Sequence, residues 1–460
     1  MSAGPADFKG VEFDPGQRHA APPIDSRRPI GAGVGSIVAN LTLSQRIGRR
    51  LRTFGPGLIT GAADDDPSGI ATYSQAGAQF GFSMLWTVVL TLPLMAAIQI
   101  VSARIGHVTR QGLAANIKAR FPAWVLRGVV AMLLLANTLN LAADLAAMAE
   151  ALRLLVGGSP HAYAAAFGVL SLALQVWLPY QRYVRWLKWL TLALLSYVAV
   201  AFTLRLDWWQ VARAVVQPQL PATHAVLLTV VAVLGTTISP YLFFWQAAQE
   251  MEDTQSPPRA EHSATTVRRH LRRIKIDTLV GMTFSNLIAF FIILSTAATL
   301  HGAGVTTIET SAQAAQALRP LAGELAFGLF SLGIIGTGLL AVPVLAGSAA
   351  YAVAEAAGWQ GSLSLRLERG EGRGFYGVIA VATIGGVALC FAPVDPVKQL
   401  FWAAVINGVI AVPIMAVMMM LATRRDTMGP HVIGTRLRWL GWVATGAMAA
   451  TVVAMLATLG

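Results

Sequence analysis

The chain has 460 residues, of which 55% are hydrophobic and only 12% charged, with a mean hydropathy of +0.60. A soluble chain of this length carries about twice that charge, so the composition excludes an ordinary soluble globular protein and points to multiple membrane spans. A single cysteine, Cys390, lies in an apolar run, which excludes a disulfide framework and a cysteine zinc site. The formal charge of +12 would suit nucleic acid, but its distribution reads otherwise.

Residues 1–45 are rich in Gly, Pro and charge and hold no hydrophobic core of signal-peptide length, so they read as a retained, disordered cytoplasmic tail. Over 36–54, Ile37, Leu41, Ile47 and Leu51 interleave with Arg46, Arg49, Arg50 and Arg52. That pattern fits a short basic helix along the membrane surface and equally a simple basic stop before the first span.

Windows of roughly twenty apolar residues then give eleven predicted spans: 55–80, 82–104, 127–155, 161–179, 186–204, 223–249, 275–300, 322–355, 375–393, 397–422 and 437–459. With the amino terminus cytoplasmic, every one of the 34 Lys and Arg residues except Arg153, Arg205, Arg213, Arg319 and Lys398 falls on the inside. This is the positive-inside bias, and it puts the carboxy terminus outside. The net charge is therefore a topology signal, not a nucleic-acid footprint. The cluster Arg268, Arg269, Arg272, Arg273 and Lys275 before span 7 belongs to the same bias and to anionic-lipid contact. All 12 tryptophans except Trp245 sit near span ends, the usual place of an amphipathic indole.

Within span 1 the stretch GAADDDPSGIATY, residues 61–73, carries three consecutive aspartates. They start about nine residues past the cytoplasmic end, about 14 Å deep at 1.5 Å per residue and so near mid-bilayer. Three central carboxylates cost on the order of 8 to 10 kcal/mol to insert, and no Lys or Arg lies mid-span to pair with them. Pro67, Ser68 and Gly69 follow, which favours interruption of the helix. A helix broken at membrane depth persists where its backbone lines a cavity or site, and freed carbonyls beside a carboxylate make an oxygen-rich cation site. Span 6 offers a second interruption in GTTISPYLFFWQ, with Pro240 near its middle. Span 1 runs outward and span 6 inward, as two inverted five-helix repeats require. The expected architecture is an all-α membrane protein: tail 1–45, first repeat 46–215, inverted second repeat 216–425, and an extra carboxy-terminal helix in 426–460.

The stretch GPGLITGAADDDPSGIATYSQAGAQFGFSMLW resembles the first helix of the Nramp family of divalent-metal transporters, which have the leucine-transporter-like fold. The resemblance implies a metal site between the broken helices 1 and 6. It places the family's metal-binding Asp on Asp66, its Asn on Gly69, its Met on Ser239 and its His on Tyr241, with carbonyls from Ala63 and Thr236. Asp144 in span 3 matches a family acidic residue associated with proton release, and Asn286 in span 7 a family Asn near the site. Span 8, GLLAVPVLAGSAAYAVAE, departs from the family pattern. The resemblance further implies a multi-pass cell (inner) membrane protein with the bilayer and a divalent cation as partners. The metal is then a substrate and not a cofactor; no catalysis, nucleic acid or obligate protein partner is expected.

The departures carry chemistry. A thioether selects softer transition metals, so Ser239 in its place leaves an oxygen site. Gly69 enlarges that site, and Asp65 and Asp64 add charge beside it. Mg²⁺ gives up water reluctantly and is held by few carboxylates with waters kept. The expectation is Mg²⁺, with Mn²⁺ next, as in the Nramp-related magnesium transporters. All 8 histidines lie in the tail, in loops or at span ends, so weak or absent proton coupling is expected, with Asp144, Glu150 and the aspartate triplet as the remaining proton carriers. Glu150 alternatively pairs with Arg153 at i, i+3, and Asn407 in span 10 either coordinates or makes an interhelical hydrogen bond. GIIGTG at 333–338 lies in an apolar span with no preceding strand and reads as small-residue helix packing.

Other readings are a proton-coupled Mn²⁺/Fe²⁺ importer, an organic-solute carrier of the same fold, and an intramembrane aspartyl protease. The protease lacks a Gly-x-Gly-Asp motif on a second span, and three aspartates would repel a solute carboxylate.

Overall fold

A computed structural model describes residues 56–178, 190–217, 223–255, 264–363, 365 and 370–458. The expected tail and the 36–54 basic segment lie outside the described residues. Those described form helices and turns and contain no strand.

In chain order the helices are α1 (Pro56–Asp64), α2 (Pro67–Phe80), α3 (Leu85–Thr109), α4 (Leu113–Arg120), α5 (Ala123–Val156), α6 (Pro160–Trp177), α7 (Leu195–Thr203) and α8 (Trp208–Val216). The second half holds α9 (His224–Thr237), α10 (Pro240–Gln255), α11 (Ala264–Thr299), α12 (Ser311–Gln316), α13 (Ala326–Ala357), α14 (Arg373–Leu389), α15 (Pro396–Thr423) and α16 (Thr435–Ala457). Every predicted window holds a helix. Among the described residues, seven helical stretches are long and apolar enough to cross a bilayer, and the bent pair of α7 and α8 adds an eighth.

Both predicted interruptions are present. The first separates α1 from α2 at Asp65 and Asp66, and the second separates α9 from α10 at Ile238 and Ser239. Each new helix begins on a proline, Pro67 or Pro240, whose missing N–H costs nothing in a first turn.

Three features departed from the windows. The helix of span 7 begins at Ala264 and not at 275, because arginines end a membrane segment without ending a helix. The helix of span 6 likewise runs on to Gln255 through Glu250, Glu252 and Asp253, charged residues that a helix tolerates and a membrane window does not. The short helices α4, α8 and α12 are too brief for a twenty-residue window.

The helices close on one another through small residues. A Cβ on Gly61 of α1 would lie 2.4 Å from the Gly281 backbone of α11, and one on Gly235 of α9 would lie 2.1 Å from the Ala404 carbonyl of α15. At both crossings backbone meets backbone, the packing that apolar surroundings favour when no hydrophobic force drives association. Around these contacts α5 packs along α13, α10 against α3, and α9 against α15.

Gly235→Val is therefore expected to cut the yield of folded protein and lower its melting temperature in detergent by several degrees. Gly128→Ala, where an added Cβ meets nothing within 4 Å, should leave both unchanged or slightly raised.

Candidate metal site

The first break is built by Asp66. It precedes α2 in extended conformation (φ −70°, ψ 170°), and its Oδ1 accepts the Gly69 N–H at 2.7 Å. This is an N-cap, and the positive end of α2 favours the carboxylate there. The second oxygen, Oδ2, lies 3.1 Å from the Tyr241 hydroxyl of α10, which is also 3.2 Å from the Ala63 carbonyl. Tyr241 has one proton for these two acceptors. The triad Asp66, Ala63 and Tyr241 thus joins the broken parts of both spans.

Gly69 lies where the two breaks meet. A Cβ there would sit 3.3 Å from Thr236 Oγ1, 3.4 Å from the Asp64 carbonyl and 3.4 Å from Asp66 Oδ1. Three oxygens therefore face the volume that a side chain would fill. The Thr236 contribution is its hydroxyl: its carbonyl accepts Ser239 Oγ at 2.8 Å, and Ser239 also lies 2.9 Å from the Gly235 carbonyl. Ser239 is thus engaged by the end of α9, where it serves backbone groups left open by the break.

Asp64 and Asp65 face α11. Ser285 Oγ lies 2.6 Å from Asp64 Oδ2 and 3.0 Å from Asp65 Oδ1, so one hydroxyl proton serves two carboxylates, and Asp64 Oδ1 has no partner. Asp144 on α5 is fully buried with both oxygens unpartnered. It lies within electrostatic reach of Asp66 and beside the Ser68 amide, without a hydrogen bond of good geometry to it.

Three of the sequence candidates lie elsewhere. Asn286 donates to the Val88 carbonyl at 2.7 Å and accepts from Thr91 at 3.3 Å, on α3. Asn407 and Asn140 exchange hydrogen bonds of 3.1 and 2.9 Å between α15 and α5. Glu150 is paired with Arg153 at 2.6 Å. Sequence reasoning missed Ser285, Asn140 and the Asp64 carbonyl. Ser285 immediately precedes Asn286, and a helix turns by 100° per residue, so one faces α1 and the other α3. A search for hydroxyl donors at the depth of the triplet would have included Ser285 among many apolar-span serines and threonines.

The site is enclosed on both sides. Above it a cavity of only about 20 Å³ is lined by residues including Ile70, Ser74, Ala147, Phe330 and Leu400. Below it, the Gly57 N–H donates to Asp277 Oδ2 at 2.8 Å, and Thr60 hydrogen-bonds Gln246. These contacts hold α1 against α10 and α11. Among the described residues no three His, Cys, Asp or Glu side chains converge as a metal cluster. The groups that converge are instead one carboxylate, hydroxyls and carbonyls from two interrupted helices.

The family model described as "Natural resistance-associated macrophage protein-like", Nramp, matches residues 57–458, nearly all of the helical region. The chain belongs to the Nramp family. Similar relatives include the divalent metal cation transporter MntH of Pectobacterium carotovorum subsp. carotovorum (strain PC1), 29% identical over 309 residues, covering 63% of this chain and 69% of that protein. The divalent metal cation transporter MntH of Yersinia pestis (strain Pestoides F) is 31% identical over 301 residues, with the same coverage. Among solved structures, a manganese transporter of Eremococcus coleocola in complex with an aromatic bis-isothiourea substituted compound superposes with a TM-score of 0.69 at 17% identity, covering 91% of this chain and 88% of that one. Mhp1, a nucleobase-cation-symport-1 family transporter in a closed conformation, gives 0.55 at 14%, covering 88% and 92%. These likenesses give the Nramp chain its fold, the leucine-transporter-like arrangement of two inverted repeats plus one helix. Its relatives are transporters, not enzymes.

Because the Tyr241 hydroxyl lies against both Asp66 Oδ2 and the Ala63 carbonyl, it competes with any cation for them. Tyr241→Phe is expected to tighten Mn²⁺ and Mg²⁺ binding by about tenfold, roughly the low end of a hydrogen bond to a charged group, in calorimetric titration of the purified protein. A tenfold weakening would make the hydroxyl itself a ligand.

Proposed function

We propose that this Nramp protein carries divalent metal cations across the membrane by alternating access, with Asp66 as the principal ligand and Mg²⁺ or Mn²⁺ as the favoured cargo. The observation that carries this reading is the set of oxygens around Gly69: Asp66 Oδ1, Thr236 Oγ1 and the Asp64 carbonyl, with the Ala63 carbonyl and Tyr241 hydroxyl adjoining. These are hard donors, suited to Mg²⁺ and Mn²⁺. Ser239 stands where the family places a thioether and is turned back to its own helix. A side chain at Gly69 would crowd these oxygens at 3.3 to 3.4 Å, so its absence keeps them within reach of the ion.

Alternating access follows from where the ligands sit. They are at the ends of helices on both sides of two breaks, so movement of α1 or α9 opens a path without dismantling the scaffold of α5 and α13. The enclosed arrangement corresponds to an occluded stage between the two open ones. The two repeats, 46–215 and 216–425, supply one broken span each, and 426–460 adds α16. We place the amino terminus in the cytoplasm of a cell whose inner membrane holds the protein, on the strength of the Lys and Arg distribution.

A second reading is a proton-coupled importer of Mn²⁺ or Fe²⁺. It is favoured by the names of the relatives, two divalent metal cation transporters and a manganese transporter, and by Asp144, a buried carboxylate with unpartnered oxygens near Asp66. An organic anion is disfavoured by four buried carboxylates, Asp64, Asp65, Asp66 and Asp144.

In proteoliposomes, Mg²⁺ and Mn²⁺ should enter down their gradients, and Asp66→Ala should abolish entry; normal transport by this variant would place the site elsewhere. A competition series of Mg²⁺, Mn²⁺, Ca²⁺ and Cd²⁺ separates the two readings. A hard-oxygen site lets excess Mg²⁺ suppress Mn²⁺ uptake, whereas potent Cd²⁺ competition with indifference to Mg²⁺ supports the transition-metal reading. Metal uptake is expected to leave lumenal pH unchanged, and metal-driven acidification would establish proton coupling.

A further inference from the structure

At the end of the bundle opposite the Arg268–Lys275 cluster, a crevice of about 550 Å³ opens between the outer ends of α2, α7 and α11 and the helix α8. It is unrelated to the metal site, and its chemistry is the reverse. Two arginines, Arg205 and Arg213, line it with Gln210 and Gln217, while Phe80, Phe82 and Leu206 form apolar wall. Neither arginine takes part in an ion pair among the described residues. Arg213 lies over the ring of Trp209 at 5.8 Å, a stacking that leaves guanidinium N–H edges available to an oxyanion. One acid, Asp207, also lines the crevice, but its Oδ1 caps α8 by accepting from Trp209 N at 3.0 Å and Gln210 N at 3.3 Å.

The neighbouring surface indicates the source of the anion. The chain turns by 117° between α7 and α8, so α8 lies across the bundle and not along it. It buries Val211, while Trp209 and Val216 are 70% and 76% exposed, as in a helix seated in a membrane interface. Phe202, 72% exposed, continues the apolar surface from this bend and neighbours Trp208 and Phe291 at 6.3 and 6.2 Å between ring centres. Positive charge in the crevice with an aromatic outward face beside it matches a phosphate headgroup joined to acyl chains. A divalent cation would be repelled here, so the crevice is no entrance for the cargo.

We infer that this crevice binds the headgroup of an anionic phospholipid from the adjacent leaflet, with Arg205 and Arg213 on the phosphate and Phe202 and the α8 indoles against the acyl chains. The bound lipid would brace the outer end of the broken first span: His301, on the crevice wall, has Nδ1 2.9 Å from the Ala78 carbonyl of α2. The inference is independent of which metal is carried and of whether transport is coupled.

The test is lipid binding to the full-length protein, read by native mass spectrometry and by melting temperature in phosphatidylcholine with and without phosphatidylglycerol. Wild type should retain phosphatidylglycerol in preference to phosphatidylcholine and melt higher with it. Charge near a membrane surface contributes about fivefold per arginine, so Arg205→Gln with Arg213→Gln should weaken that preference by about thirtyfold. Arg205→Lys with Arg213→Lys should keep most of it and shows that loss of charge, not misfolding, is responsible. Arg436→Gln with Arg438→Gln, at the opposite end, should change nothing at this site. Lack of preference in wild type, or its persistence in the glutamine variant, overturns the inference. Displacement of the lipid by millimolar inorganic phosphate would overturn it in favour of a soluble-anion site.

Discussion

The arrangement depends on one constraint: backbone groups released by a helix break inside a membrane must find partners from the protein itself. The two breaks solve this with opposite chemistry. At the start of α2 the orphan groups are N–H donors, and the Asp66 carboxylate accepts from Gly69. At the end of α9 they are carbonyls, and the Ser239 hydroxyl serves Gly235 and Thr236. A carboxylate has capacity left after capping, because each oxygen carries two acceptor sites. A serine hydroxyl has one proton, which goes to these carbonyls, while its oxygen is neutral and brings no charge to the site. Hence both residues hold a helix end, and Asp66 alone of the two adds negative charge there.

Close packing supplies the second condition. The oxygens meet because α1 and α9 approach their neighbours at backbone distance, through Gly61 against Gly281 and Gly235 against Gly408 and Ala404. Larger residues at these crossings would push the half-helices outward and separate Asp66 from Thr236. Gly69 works at shorter range: a Cβ there would crowd Thr236 Oγ1, the Asp64 carbonyl and Asp66 Oδ1 at 3.3 to 3.4 Å, so the missing side chain lets these oxygens converge. The same residue type thus brings backbone to backbone at one position and oxygens together at another, and only the position tells which.

Hydropathy and charge made the architecture legible, because a bilayer admits few backbone solutions and both breaks carry a proline beside polar residues. Asp66, too, was legible as a mid-span acid just before Pro67. What escaped the sequence was direction within a helix. Thr236 was expected to contribute its carbonyl, and its hydroxyl also faces Gly69 while the carbonyl accepts from Ser239. Ser285 and Asn286 are adjacent polar residues, and the phase of α11 alone decides that Ser285 reaches Asp64 and Asp65. Short elements escaped for another reason: α8 has an apolar side and an interfacial length, so it is invisible to a window built for crossing.

Donor and acceptor counting around the first break leads one step further. Asp64, Asp65, Asp66 and Asp144 are all buried, and no ion pair among the described residues includes any of them. Among the described residues their protein donors include the Gly69 N–H at Asp66, the shared Tyr241 proton and the shared Ser285 proton, with the Ser68 amide beside Asp66 and Asp144. Four carboxylates could accept far more than this, and an uncompensated buried charge is costly. The deficit is one of positive charge, and it can be met by protons on some of the acids or by a cation among them. A structure so built binds a positive species more tightly the better it excludes water. The same enclosure therefore also favours a positive species over an anion.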